Sequence, residues 1–177
     1  ARLDGQLPDG IPFDLYLIDQ SVLGQDEGLR RNLSDFLIMD GVDNPTLAAT
    51  VAKRLYLKTS DPDSPAPGNA ALREFFQLHR ANITTAVDTA IRVVVGILPE
   101  NLVLSKAEVA ALYLGMVTTG KLSATQFEDR MRLMLAGGGE DPILQQAWKK
   151  VTRIRASSRR GGKSQIVRLI ESALVAN

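Results

Sequence analysis

The 177 residues carry 21 Lys and Arg against 20 Asp and Glu, a net charge of +1, with one histidine and no cysteine. Without cysteine there are no disulfides, thiolate metal ligands or cysteine nucleophiles, and one histidine leaves little for a zinc site or a Ser-His-Asp triad. The 45% hydrophobic content suits a chain with its own core, and no run approaches the ~20 apolar residues of a membrane span, so no membrane partner is expected.

Residues 1–25 read as an extended N-terminal arm. Gly5, Pro8, Gly10 and Pro12 oppose a helix, and residues 13–18, Phe-Asp-Leu-Tyr-Leu-Ile, suit an extended segment or a short strand. An arm of this kind docks on its own core or on a neighbouring subunit, and a homo-oligomer held through the arm is expected. From Asp26 onward, Leu29, Leu33, Phe36 and Leu37 fall on one helix face, and Gly41 stands at the stop position. Asn44 and Pro45 read as the N-cap and first residue of a second helix, with Leu47, Val51, Leu55 and Tyr56 as its apolar stripe. These two helices form an expected small subdomain over 26–60. Prolines 62, 65 and 67 then mark a linker or ordered loop at 61–68, and a main bundle is expected over 69–177.

Asn69 reads as the cap of a helix that buries Leu72, Phe75, Phe76 and His79. It either continues to Leu98 or breaks near Asn82 and Ile83, and Pro99 ends it. Val93, Val94 and Val95 favour a strand locally, but their helical flanks argue for burial in a helix. Ser105 with Glu108 and Ser123 with Gln126 are capping boxes. Val109, Leu112, Tyr113, Met116 and Val117 form an apolar face after the first; Phe127, Met131 and Leu135 do so after the second. Residues 120–128 resemble the helix-hairpin openings of many unrelated proteins, a likeness that the capping box explains. Gly137, Gly138 and Gly139 end that helix. Asp141 and Pro142 open another, with Leu144, Ala147, Trp148, Val151 and Ile154 inward, and a polar loop from Ser157 to Lys163 precedes the last. No fixed-period repeat appears. The expected fold class is all-α, a multi-helix bundle of about seven to eight helices with the extended arm.

Little in this chain points to catalysis. His79, four residues after Phe75, reads as a packing residue at the edge of the core. Glu128 and Asp129 sit early in a helix, where acids complement the macrodipole. Asp61 and Asp63 lack the rest of a calcium loop, and no G-x-S-x-G pattern occurs. Residues 161–164, Gly-Gly-Lys-Ser, end like a nucleotide-binding loop, but Ser157 stands where the first glycine belongs and a basic helix precedes instead of a strand. Ser164 is then an N-cap, or Lys163 and the first helical N–H groups hold a single phosphate. No catalytic residue, cofactor or metal ligand is assigned, and an enzyme is not expected.

Charge is distributed unevenly. Residues 1–140 hold 13 Lys and Arg against 18 Asp and Glu, whereas residues 141–177 hold 8 against 2. Lys149, Lys150, Arg153, Arg155, Arg159, Arg160, Lys163 and Arg168 fall within 149–168 with no acid among them. On a helix, Lys149 and Arg153 share a face, with Lys150 nearby, while Arg155, Arg159, Arg160 and Lys163 run into a Ser/Gly-rich loop. Such a segment suits the phosphate backbone of a nucleic acid. Trp148 either stacks on a base or packs in the core. Two bland readings stand beside this one: a solvated face, or neutralisation by the acidic first part of the same or another chain. The expected function is a non-enzymatic nucleic-acid-binding protein of an assembly, either nucleocapsid- or coat-like or chromosome-associated. The alternative is a helical adaptor or structural subunit whose basic segment docks on an acidic partner. The expected location is the cytoplasm or a virion, within a reducing compartment.

Overall fold

The computed structural model describes residues 2–6, 12–16, 32–61, 66–97, 102–157 and 162–176. The chain divides into two units, Ala1–Asn32 and Leu33–Asn177. In the first, β1 (Arg2–Gln6) and β2 (Pro12–Tyr16) pair antiparallel, with Leu3 opposite Leu15 and Gly5 opposite Phe13. Pro12 opens its strand, a position where a missing N–H is tolerated. Within the arm expected from sequence, residues 2–6 and 12–16 are extended and pair with each other; its other residues lie outside the described residues. The helix expected from Asp26 is described only from Leu33; residues 26–31 lie outside the described residues.

The second unit is all-α and contains seven helices among the described residues: α1 (Leu33–Met39), α2 (Pro45–Thr59), α3 (Asn69–Val94), α4 (Lys106–Val117), α5 (Ala124–Leu135), α6 (Pro142–Ser157) and α7 (Lys163–Val175). At its centre is α4. Ala107, Val109, Ala110, Leu112, Tyr113, Leu114 and Met116 are all buried on it, so it is apolar on nearly every side, as a helix enclosed by others must be. It packs against α2, α3, α5 and α7, and α6 lies on α5 and α7. Tyr113 meets Phe127 of α5 edge to face, with ring centroids 5.3 Å apart. Phe76, Ile83, Met131, Leu144 and Ile170 complete a core to which every helix of this unit contributes.

The 26-residue α3 passes through Asn82 and Ile83 without a break. Ile83, Ala86, Val87, Ala90, Val93 and Val94 hold a continuous buried face, and this burial outweighs the local β preference of the valines. The helix ends at Val94, before the expected limit of Leu98, where Gly96 turns left-handed at φ +82°. Helices α1 and α2, read from sequence as a separate subdomain over 26–60, share one unit with 69–176 and pack on α3.

Three helix starts differ from the reading above. Asn44 occupies the N-cap position of α2 but is left-handed, at φ 53° and ψ 50°, and makes no side-chain cap bond; a capping side chain needs the extended backbone that this residue lacks. Gly68 is the N-cap of α3, so Asn69 is already helical. Gly162 likewise precedes α7 and places Ser164 inside the helix. Both capping boxes form with reciprocal bonds. Asp141 caps α6 by accepting from the N–H groups of Ile143 at 2.8 Å and Leu144 at 3.1 Å.

Two connections position α6. Gly137, Gly138 and Gly139 all have positive φ, and a Cβ on Gly138 would collide with the backbone of Leu144 and Gln145. The α5–α6 turn therefore requires glycine there. Arg130 ties α5 to both later helices: its Nη2 donates to the carbonyl oxygens of Ala173 at 3.1 Å and Ala176 at 2.7 Å, and lies 3.6 Å from Asp141.

Candidate nucleic-acid interface

Helix α6 buries Leu144, Ala147 and Val151. At about 100° per residue, Lys149 and Arg153 lie opposite that face. Lys150 falls on a flank, and Arg155, four residues after Val151, falls on the side of the buried residues at the helix end. All four are exposed. Trp148 is half-buried and packs against the core. Of the remaining sequence-identified cations, Lys163 opens α7 and Arg168 lies on its exposed side. Arg159 and Arg160 lie outside the described residues.

Neutralisation is decided by where the carboxylates go. In the ion pairs that follow, acids meet cations outside the basic run. Glu128 meets Arg92 at 3.4 Å and Arg132 at 2.9 Å, and Asp141 meets Arg130. Glu171 meets Lys121 at 3.3 Å, Glu108 meets Arg54 at 3.8 Å and Asp40 meets Arg73 at 2.7 Å. Lys149, Lys150, Arg153, Lys163 and Arg168 are in none of the described ion pairs. Lys149 and Arg153 are moreover like charges at i,i+4, a spacing that costs an isolated helix about 0.2–0.5 kcal/mol. The stripe is thus positive at some cost to the helix that bears it.

The structure divides the run. Lys149, Lys150 and Arg153 form the α6 stripe. Arg155 and Lys163 instead line a cleft of about 600 Å³ together with Lys106, at the start of α4. Its walls are aliphatic, from Val94, Leu102, Val103, Ile154 and Ile166. Arg155 is held there by donating from Nη1 to the Leu102 carbonyl oxygen at 3.2 Å. Among the described residues one carboxylate, Glu108, also lines the cleft; it accepts from the Ser105 N–H at 2.7 Å and the Ser105 hydroxyl at 2.8 Å, it lies near Arg54, and its side chain is only 12% exposed.

Lys106 is absent from the sequence-identified run because it lies 43 positions before Lys149. The Ser105 capping box, which fixes the start of α4, was the only local signal near it. At the other wall, the element that precedes residues 162–164 among the described residues is helix α6 and not a strand. His79 is half-buried, its ring 4.4 Å from that of Phe75. No group of three or more His, Asp or Glu able to hold a metal ion occurs among the described residues, and no described helix is long and apolar enough to cross a membrane. No protein-family model, curated protein or solved structure matches the chain.

Proposed function

We propose that this protein binds nucleic acid through the phosphate backbone, using the basic segment of α6 and α7, and that it does so as a non-enzymatic component of an assembly, nucleocapsid- or coat-like or chromosome-associated. The observation that carries this reading is the exposed, ion-pair-free state of Lys149, Lys150, Arg153, Lys163 and Arg168 among the described residues. Phosphates release counterions when they meet such groups, which gives affinity without sequence preference. For the assembly, the paired strands of the N-terminal unit are the proposed contact between copies, since a two-stranded sheet can be extended by strands of another chain.

The test is fluorescence anisotropy with a labelled oligonucleotide at several salt concentrations. With five cations on a single strand, the slope of log K against log salt is expected near about −3.5. Replacing Lys149, Lys150, Arg153, Lys163 and Arg168 together by Ala is expected to abolish binding. Unchanged affinity in that variant removes the proposed site. If the protein binds no nucleic acid but forms a stoichiometric complex with an acidic protein, the adaptor reading replaces this one.

A further inference from the structure

We infer that the cleft between the start of α4, the end of α6 and the start of α7 receives one unpaired nucleotide, so that the nucleic acid bound by this protein is single-stranded. This rests on the proposed function and specifies its ligand. A stripe of exposed cations alone does not distinguish a duplex from a single strand, since both offer phosphates. The cleft does. Arg155 and Lys163 reach it from the consecutive helices α6 and α7, Lys106 reaches it from the start of α4, and behind them lies an aliphatic concavity that includes Val103, Ile154 and Ile166.

Cations beside an apolar hollow match a nucleotide: anionic at the phosphate, with two weakly hydrated faces on the base. The volume of about 600 Å³ falls inside the range of about 300–1,000 Å³ typical of small-ligand sites. A base inside a duplex cannot enter such a hollow without leaving its stack, which costs a few kcal/mol; a base in a single strand is already free to turn in. Glu108, the one acid among the described residues that line the cleft, accepts from Ser105 and lies near Arg54, which offset its charge. Arg155 stands about 160° around α6 from Arg153, on the side of the helix that lines the cleft, and is anchored there to Leu102.

The test compares oligothymidylate with a dA·dT duplex of equal length on the whole chain. Two variants accompany the wild type: Val103→Trp, which fills the cleft, and Lys106→Ala, an exposed change that spares the core. The expected result is a single-strand preference of at least about tenfold, set by the cost of unstacking a duplex base, that Val103→Trp abolishes while leaving duplex affinity unchanged. Lys106→Ala is expected to lower single-strand affinity more than duplex affinity, and this arm holds even if the tryptophan variant does not fold. Equal affinity for both probes in the wild type overturns the cleft assignment while leaving nucleic-acid binding intact. So does a single-strand preference that Lys106→Ala leaves unaltered. Failure of the wild type to bind either probe overturns the proposed function itself, and the inference with it.

Discussion

Arg155 donates to the carbonyl oxygen of Leu102 across 53 positions of sequence. That bond holds the last turns of α6 against the segment that leads into α4, and it assigns one arginine of the basic run to a cleft instead of the neighbouring stripe. Arg155→Ala is expected to cost no more than about 1 kcal/mol of stability, because the bond lies at an exposed position, yet to weaken binding of oligothymidylate. Urea unfolding and anisotropy on the same preparation separate the two effects. A large loss of stability with unchanged binding contradicts the assignment.

The α6 stripe acts through charge, so its removal is expected to change salt dependence more than fold. Lys149→Ala with Arg153→Ala should make the single-strand salt slope shallower by about 1.4, with helical circular dichroism unchanged. Arg73→Ala serves as the control. Arg73 is bound to Asp40 and stands over the Phe36 ring at 5.2 Å, and its loss should leave the slope unaltered.

Glycine is required to different degrees along the chain. Gly138 has φ +94° and no room for a Cβ, whereas Gly96 has φ +82° with open space around it. Gly138→Ala is expected to destabilise by more than about 2 kcal/mol and Gly96→Ala by about 1 kcal/mol, since only the first adds a backbone collision to the left-handed strain. Thermal denaturation of the pair ranks them. Equal losses would show that the α5–α6 turn relaxes freely.

Arg130 links α5 to the end of α7 and to the cap residue of α6. Arg130→Met keeps the aliphatic bulk but leaves two carbonyl oxygens and Asp141 without this donor. The expected loss is about 2–3 kcal/mol by urea unfolding. A neutral result would mean that water replaces the guanidinium at no cost.

Much of the bundle could be read from local chemistry. Ser105, Ser123 and Asp141 mark helix starts by capping, and Gly137 to Gly139 mark a stop through backbone freedom; these signals act within a few residues. The burial of Ala110 and Leu114 was not legible. Periodicity gave α4 a single apolar face, whereas its central position among four helices buries almost every side. Asn44, Asn69 and Ser164 have cap chemistry, but the backbone of the folded chain places glycine or a left-handed residue at the cap instead. The hairpin pairing of β1 with β2 depends on register between strands, which composition alone does not set.

For the candidate site, clustering along the chain located the cations but not their division. Whether Arg155 sides with Arg153 or with Lys106 depends on the helix phase of α6 and on a contact with Leu102, a long-range relation. Lys106 had no charged neighbour nearby in sequence to single it out except Glu108, which pairs with Arg54. The fate of the carboxylates was equally non-local: Glu171 lies only three residues after Arg168 but pairs with Lys121.

The most direct measurement is a titration of the ¹⁵N-labelled chain with oligothymidylate, following backbone amide shifts by NMR. The expected result is a set of perturbations confined to residues 149–155, the start of α7 through Arg168, and the neighbourhood of Lys106. Perturbations centred instead on the Asp40–Arg73 surface, or none at saturating oligonucleotide, contradict the claim that these cations form the binding surface.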